Sequence, residues 1–255
     1  MPSGGLGRRP LKTELFEELV ESIQEGGAIL RGELEPSRVF GRTALITGGS
    51  RGIGFCVVQQ LRELGWAVVA PTRAELDFSS AASMSRFIVD GWADAVAPDA
   101  VVFCHGTWFS RPIGSRGEAD WLEQYRLRVV EPMRLIDDML FAGRVPKCVI
   151  MVASTRGFVG GVDTGPYAAA CAAQIALMQG YAREWPGCRF NVVCPGLTDT
   201  AMGQEVIATG GAKPGAVGQD PRAVAQAIIS LITTDACGKV LRVVDGEVSE
   251  ATWSW

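Results

Sequence analysis

The chain has 255 residues, of which 47% are hydrophobic, so it is long enough to bury one large core. Its formal net charge of −4 and isoelectric point near 5.2 provide no basic stripe, which argues against a nucleic-acid partner and favours a small-molecule substrate. No apolar run approaches the roughly 18 to 20 residues of a membrane span, and the N-terminus lacks a signal-type apolar core. We therefore expect a cytoplasmic protein without membrane contact.

The seven cysteines form no Cys-x-x-Cys pair, and five of them lie in apolar patterns typical of strands or helices. An odd number of cysteines without metal-ligand spacing favours reduced core thiols over disulfides. It also predicts that the protein has no metal site.

The first 40 residues form an N-terminal extension by composition. A Gly/Pro/Arg-rich start is followed, from Leu11 to Ile23, by apolar residues at helical spacing among glutamates, which predicts an amphipathic helix. This helix either covers part of the core or contributes to a dimer contact. We predict a division into this extension, 1–40, and a nucleotide-binding catalytic domain, 41–255.

A glycine-rich loop follows the first predicted strand. Residues 44–47 are an apolar run that ends at a threonine, and glycines then precede an apolar helical pattern. Strand, glycine loop and helix in this order suit a pyrophosphate, because backbone can approach the phosphates and the helix N-terminus presents unpaired N–H groups. A tight turn without a ligand is the alternative. We expect six loop residues to bind a dinucleotide cofactor: Gly48, Ser50, Arg51, Gly52, Ile53 and Gly54.

The second predicted strand, 66–71, ends next to an arginine. An acidic side chain about 20 residues past the glycines would bind the ribose 2′-hydroxyl of NAD(H), whereas an arginine there suits the 2′-phosphate of NADP(H). Arg73 occupies this place, and Arg51 can add a second cation. The pair predicts NADP(H); two solvated surface charges are the alternative.

The next two predicted strands carry further candidates. Residues 76–78 form a short third strand, with Ser79 or Ser80 placed to cap the following helix. Residues 99–104 form the fourth strand and lead into His105, the only histidine of the chain. A base role for His105 is possible in principle, but no carboxylate or cysteine lies at catalytic spacing, so contact with a cofactor through its backbone is favoured.

A serine and a tyrosine follow in the second half of the chain. A long helix is predicted over 118–140, and the fifth strand, 147–154, delivers Ser154 at its carboxyl end. Ligands of open α/β sheets bind at this edge, where the glycine loop also lies. Tyr167 opens an alanine-rich helix that suits a homodimer seam.

The last predicted elements complete the sheet. The sixth strand, 189–194, is followed by a Gly/Ala-rich stretch, 201–218, that resembles a mobile lid. Asp220 caps a final helix, and residues 239–244 supply the seventh strand. Strands that alternate with helices at this spacing predict a parallel, doubly wound α/β sheet.

Several of these motifs, in this order, resemble the short-chain dehydrogenase/reductase family of Rossmann-fold enzymes. They are Thr47-Gly-Gly-Ser-Arg-Gly-Ile-Gly54, Asp77, Gly106, Ser154, Tyr167 and Pro195-Gly196 with Thr200. The resemblance covers about residues 41–246 and implies a seven-stranded sheet, a nicotinamide cofactor and a homodimer or homotetramer. With it, we expect these further cofactor contacts: Arg73, Asp77, Phe78, Cys104, His105, Gly106, Tyr167, Pro195, Gly196, Leu197 and Thr200.

The sequence also departs from the family pattern at its catalytic positions. Members usually carry Tyr-x-x-x-Lys, whose lysine holds the nicotinamide ribose and lowers the tyrosine pKa, but Cys171 stands in the lysine position. The family's relay asparagine aligns with Arg128, and the usual Asn-Asn-Ala-Gly reads Phe103-Cys104-His105-Gly106. Moving a tyrosine pKa from about 10 to about 7 needs roughly 4 kcal/mol of phenolate stabilisation, which a cysteine cannot supply. Reduction, which needs only a neutral phenol, is therefore favoured over alcohol oxidation.

Three functions remain open from the sequence. The first is an NADPH-dependent reductase of a carbonyl or other unsaturated substrate, with Tyr167 as acid, Ser154 as orienting donor and Arg128 beside them. The second is a non-redox cyclase, dehydratase or isomerase that uses the same three residues. The third is a cofactor-binding partner subunit without turnover. Arg128 itself could clamp an acidic substrate group or form a salt bridge to Asp163 or Glu131.

Overall fold

The computed structural model describes residues 41–92, 97–213 and 215–251. The predicted helix over 11–23 lies outside these ranges, and the division into an extension and a catalytic domain stays a prediction. No helix within the described ranges is long and apolar enough to cross a membrane.

The described residues form a seven-stranded sheet flanked by helices. Its strands, in chain order, are β1 (Thr43–Thr47), β2 (Ala67–Val69), β3 (Ala100–Phe103), β4 (Cys148–Val152), β5 (Arg189–Pro195), β6 (Val240–Val244) and β7 (Glu247–Glu250). The helices are α1 (Gly52–Glu63), α2 (Ala81–Trp92), α3 (Glu118–Tyr125), α4 (Glu131–Phe141), α5 (Arg156–Val159), α6 (Gly165–Glu184), α7 (Ala201–Ala208) and α8 (Pro221–Thr233), with a π-helical turn at Arg126–Val130. Asp220 caps α8 as predicted, because its carboxylate accepts from the Arg222 amide at 2.8 Å.

The strand order is β2-β1-β3-β4-β5-β6-β7, and every pair is parallel except β6–β7. From β1 the chain first adds β2 on one side of β1 and then adds β3 on the other side. The direction in which successive strands are added therefore reverses between β1 and β3. Ligands of doubly wound sheets bind at such a point, outside the carboxyl ends of the strands. The predicted α/β class and the number of strands are confirmed.

Two apolar layers bury the sheet. On one face, Leu45 and Val101 pack in a cluster with residues of α4 and α6. On the other face, Ile46 and Val102 pack in a cluster with residues of α1 and α8. Neighbouring strand residues point to opposite faces, so a parallel sheet with helices on both sides needs apolar residues at every position. This requirement explains the continuous apolar runs of β1, β3 and β4.

The predicted third strand is wrong. Residues 76–78 lie outside the strands of the sheet, although Leu76 and Phe78 are only 5% and 3% exposed. The backbone amides of this segment bond elsewhere: the Leu76 amide donates to the Thr72 carbonyl at 2.9 Å, and the Asp77 amide donates to the Ser83 hydroxyl at 2.9 Å. The apolar alternation reflects burial along the wall of a cleft.

The seventh strand is instead an antiparallel edge strand, β7, which the sequence analysis left outside the sheet. Asp245 and Gly246 connect it to β6 with φ angles of 52° and 81°. Two central residues with positive φ are typical of a type I′ hairpin, for which Asp-Gly is a preferred pair. The sequence contained this signal.

Candidate active site

One cleft, of about 560 Å³, lies over the carboxyl ends of β1, β3, β4 and β5. It brings together every residue for which the sequence predicted a catalytic or cofactor-binding role. Its walls include Gly48, Ser50, Arg51, Gly52, Ile53, Gly54, Arg73, Asp77, Phe78, Cys104, His105, Gly106, Arg128, Ser154, Tyr167, Pro195, Gly196, Leu197 and Thr200.

The glycine loop forms one end of the cleft. Two of its positions require glycine, because other backbone atoms pack closely against them. Gly48 has a φ of 69°, and a Cβ on it would lie 2.8 Å from the His105 amide nitrogen. A Cβ on Gly54 would lie 2.3 Å from the Gly48 carbonyl oxygen. The following helix, α1, has no acidic residue in its first turn and no side-chain cap. Open N–H groups and a positive helix end fit a pyrophosphate.

Two arginines stand at the outer rim of this end. Arg73 is 79% exposed, and its Nε lies 3.5 Å from the Asp77 carboxylate. The hydrogen bond that Ser79 donates holds the pKa of Asp77 below its usual value. Arg51 is also exposed, and within the described ranges no ion pair involves it. The exposed guanidinium groups are therefore available to a phosphate.

His105 is held as a neutral structural residue, so the geometry excludes the base role that the sequence left possible. Its Nε2 donates to the Leu127 carbonyl at 2.9 Å, which leaves Nδ1 to accept from the Thr47 hydroxyl at 2.6 Å. The ring stacks on Phe78 with centroids 3.7 Å apart. Both ring nitrogens are therefore occupied by hydrogen bonds. Burial also lowers the pKa of His105 to about 4, so the ring is uncharged at neutral pH.

Ser154 and Tyr167 meet at the other end of the cleft. Ser154 follows β4 and is 8% exposed, and Tyr167 lies in the first turn of α6 and is 5% exposed. The pKa of the Tyr167 hydroxyl is affected by Ser154 and by the Cys171 thiol, one helical turn further along α6, so both side chains lie close to it. Burial raises the pKa of Tyr167 to about 12, with a further contribution from Cys171, while Arg128 and Ser154 oppose the shift. Tyr167 is therefore a neutral phenol over the physiological pH range.

Arg128 lies in the π-helical turn between α3 and α4 and is 3% exposed. Its Cζ is 4.4 Å from the centre of the Tyr167 ring, and its Nη2 donates to the Thr107 carbonyl at 2.8 Å. The predicted salt bridge to Glu131 is absent from the described residues, because Glu131 pairs with Arg126 and Arg134 instead. π-helical turns leave carbonyl groups without an intrahelical partner. Here the Leu127 carbonyl accepts from His105, and the Arg128 carbonyl accepts from the Gln174 amide at 2.9 Å.

The segment after α7 closes over this end. The Trp108 indole N–H donates to the Thr209 hydroxyl at 2.8 Å, and the Trp108 ring meets the Tyr167 ring edge-on with centroids 5.0 Å apart. Arg156 donates to the Gly160 carbonyl at 3.1 Å and to the Gly211 carbonyl. The predicted lid thus contains a helix and lies over the candidate catalytic residues, while its mobility stays a prediction.

Sequence reasoning missed three polar residues of the site. Gln124 lies four residues before Arg128 and accepts from its Nε at 3.4 Å, a spacing that the sequence could have indicated. Gln174 lies on the same face of α6 as Tyr167 and Cys171, and its Oε1 is buried without a partner. Arg156 was not predicted because its acceptors are backbone carbonyls, one of them 55 residues away at Gly211.

Comparisons with known proteins agree with this geometry. The sequence model of the family described as short chain dehydrogenase matches residues 129–210. A 3-oxoacyl-(acyl-carrier-protein) reductase of Vibrio cholerae is 27% identical over 237 residues, which cover 81% of this chain and 97% of that protein. The chain is therefore similar to short-chain dehydrogenases and reductases.

Two further proteins are similar to this chain. A C alpha-dehydrogenase of Sphingobium sp. is 32% identical over 166 residues, which cover 55% of this chain and only 54% of that protein. A solved structure of a substituted actinorhodin polyketide ketoreductase with NADPH has a TM-score of 0.68 at 20% identity and covers 81% of this chain and 97% of its own. At that identity the likeness concerns the fold. Both curated relatives described here are named as a dehydrogenase or a reductase.

Proposed function

We propose that the protein is an NADPH-dependent reductase that acts on a carbonyl or other unsaturated bond of a small molecule. The observation that carries the proposal is that Ser154 and a neutral Tyr167 lie side by side in the same cleft as the glycine loop. The names of the relatives support oxidoreductase chemistry. A cytoplasmic location and a homodimer or homotetramer belong to the same proposal.

The residues present fit a nicotinamide dinucleotide. The glycine loop and the N-terminus of α1 would hold the pyrophosphate, since added Cβ atoms on Gly48 and Gly54 would collide with backbone. Arg51 and Arg73, exposed at the rim, would hold a 2′-phosphate, which supports NADPH over NADH. When bound, the reduced nicotinamide supplies a hydride to the substrate carbon.

The protein side chains supply the proton. Ser154 would donate a hydrogen bond to the substrate oxygen and orient it, and Tyr167 would transfer its hydroxyl proton to that oxygen as the carbon gains the hydride. The resulting phenolate regains a proton from solvent, which a pKa of about 12 favours strongly. Alcohol oxidation would require the phenolate at the start, and this high pKa opposes it.

The test is consumption of NADPH with a panel of aldehydes, ketones and oxo acids, followed by the absorbance of the reduced nicotinamide. Tyr167→Phe removes the proton donor and should lower turnover by about 10²- to 10⁴-fold. Tyr125→Phe is the matched control, because Tyr125 lies on α3 outside the walls of the cleft and should retain wild-type turnover. NADPH binding without consumption by any substrate would reject the reductase and favour the partner-subunit alternative. A redox-neutral conversion that depends on Tyr167 would favour the cyclase, dehydratase or isomerase alternative.

A further inference from the structure

Arg128 is a buried cation whose protein partners in the described ranges are all neutral. One face of its guanidinium lies on the Tyr167 ring. The other face lies against Gly106, where a Cβ would be 2.6 Å from Nη2 and 2.8 Å from Cζ, so only glycine leaves room for it. Its Nη2 and Nε donate to the Thr107 carbonyl and the Gln124 amide oxygen. No ion pair between described residues includes Arg128.

The remaining nitrogen, Nη1, opens onto the cleft. None of the hydrogen bonds between described residues uses it, and the fully buried unpaired side-chain atoms of this part of the chain do not include it. A cation removed from water is costly unless an anion or a full set of hydrogen bonds compensates it. The geometry therefore leaves one edge of a buried guanidinium to be completed by a ligand.

The charges around this end of the cleft also favour an anion. Its walls contain Arg128, Arg156 and Lys213 against a single carboxylate, that of Glu123. His105 adds no charge, because its pKa is lowered to about 4. The neighbouring tyrosine and cysteine are neutral as well, so an incoming anion meets little repulsion at the catalytic residues.

We infer that the substrate is a short oxo acid whose carboxylate binds Arg128 while its carbonyl oxygen faces Ser154 and Tyr167. This inference rests on the proposed reductase function and names its substrate class. The guanidinium and the phenol ring are in contact, at 4.4 Å, so the carboxylate and the reacting carbonyl are close neighbours in the molecule. A 2-oxo or 3-oxo acid satisfies that separation. A planar edge of N–H donors matches a carboxylate, which makes Arg128 a residue that binds substrate and selects it.

The first experiment compares each acid with its neutral ester. Pyruvate and methyl pyruvate, and acetoacetate and methyl acetoacetate, are tested with NADPH and wild-type protein, Arg128→Gln, Arg128→Lys and Arg126→Gln. Arg128→Gln should lower kcat/KM for the acids by about 10- to 100-fold, mainly through KM, because a hydrogen bond to a charged group is lost. The values for the esters should stay within about threefold, and Arg128→Lys, which keeps the charge, should recover part of the loss.

Arg126→Gln is the matched control. It removes the same charge from the same π-helical turn, but Arg126 is 53% exposed, pairs with Glu131 and lies outside the cleft walls. It should leave the acid-to-ester ratio unchanged. Should Arg128→Gln not fold, the wild-type ratio and Arg128→Lys still decide the question, because a wild-type protein that reduces esters as efficiently as acids contradicts the inference.

The second experiment measures binding without turnover. The protein is loaded with NADP⁺, which cannot reduce pyruvate, and pyruvate binding is measured by calorimetry. The wild type should bind pyruvate, and Arg128→Gln should bind it about 10-fold or more weakly. Equal weakening of acid and ester, or weakening of NADPH alone, would assign Arg128 to the fold or the cofactor and overturn the inference, with the reductase intact. Acid binding that depends on Arg128 without reduction of any carbonyl would reject the reductase and keep the carboxylate site.

Discussion

The two ends of the cleft are built in opposite ways. The glycine-loop end uses backbone and exposed side chains: close-packed glycines, an open helix N-terminus, and Arg51 and Arg73 at the rim. The catalytic end uses buried side chains in mutual contact, namely Ser154, Tyr167, Cys171 and Arg128, none more than 8% exposed. A change in the backbone of the glycine loop should therefore affect cofactor binding strongly, whereas each exposed arginine should contribute to it modestly and independently. The buried group is coupled, since each member shifts the protonation of another.

The largest expected effect at the glycine-loop end comes from Gly54→Ala. The new Cβ would lie 2.3 Å from the Gly48 carbonyl oxygen, so the loop must move away from its position over the cleft. Strain of about 1 to 3 kcal/mol should weaken NADPH binding by about 5- to 150-fold, as measured by fluorescence titration.

Gly180→Ala is the control for this change. Gly180 lies within α6 with nothing within 4 Å of an added Cβ, so NADPH affinity should be unchanged and thermal stability should rise slightly. If Gly54→Ala bound NADPH as tightly as the wild type, the glycine loop would not be the cofactor cradle.

Cys171→Lys tests the coupling at the catalytic end. Wild-type Tyr167, with a pKa of about 12, should remain protonated through about pH 6 to 10, so its ionisation should cause no loss of reduction there. An ammonium group beside the hydroxyl favours the phenolate and lowers the tyrosine pKa, at about 1.4 kcal/mol for each unit. Reduction should then fall as pH rises through the new, lower pKa, and alcohol oxidation should appear above it.

Cys171→Met is the control that separates the effect of charge from the effect of volume. Like lysine, methionine is larger than the fully buried cysteine, but it adds no charge. Its pH profile for reduction should match that of the wild type. Superimposable profiles for all three proteins would mean that position 171 does not control Tyr167.

The smallest of these effects is expected from Arg73→Glu. Wild-type protein should bind NADPH about 10-fold more tightly than NADH, since one charge-assisted contact to the 2′-phosphate is worth that much. Reversal of the Arg73 charge should remove most of this preference and leave NADH affinity nearly unchanged. Arg86→Glu, at an exposed position of α2 outside the cleft walls, should preserve the preference. Equal affinities for both cofactors in the wild type would contradict the NADP(H) assignment.

The strand predictions were correct for β1 to β6 and failed at two places, residues 76–78 and β7. The runs before His105 and Ser154 are flanked by partner strands and helices on both faces, so their composition is dictated from all sides. Residues 76–78 are apolar because they line the cleft, and an apolar triplet does not reveal what it packs against. The Asp245-Gly246 turn was readable from local backbone preference alone.

The grouping of the site residues and a neutral Tyr167 were also predictable, but the contacts of His105 and Arg128 were not. His105 was a candidate base until its two ring nitrogens were seen to bond Leu127 and Thr47, which are 22 and 58 residues away. Arg128 was a candidate for a salt bridge until the structure gave its neighbours as Gly106 and Tyr167. The pKa of His105 depends on burial and on a charge brought close by folding, so it could not be read from spacing.

The sequence by itself determined six of the seven strands, the glycine loop, and the placement of Ser154 and Tyr167 at strand and helix ends. These features follow from local backbone preferences and from hydrophobic periodicity, which neighbouring residues specify. Only the tertiary structure decided that His105 has no free nitrogen and that Arg128 is buried with one edge open to the cleft. Those properties arise from desolvation and from contacts between distant segments, which exist only once β1, β3, the π-helical turn and α6 are packed together.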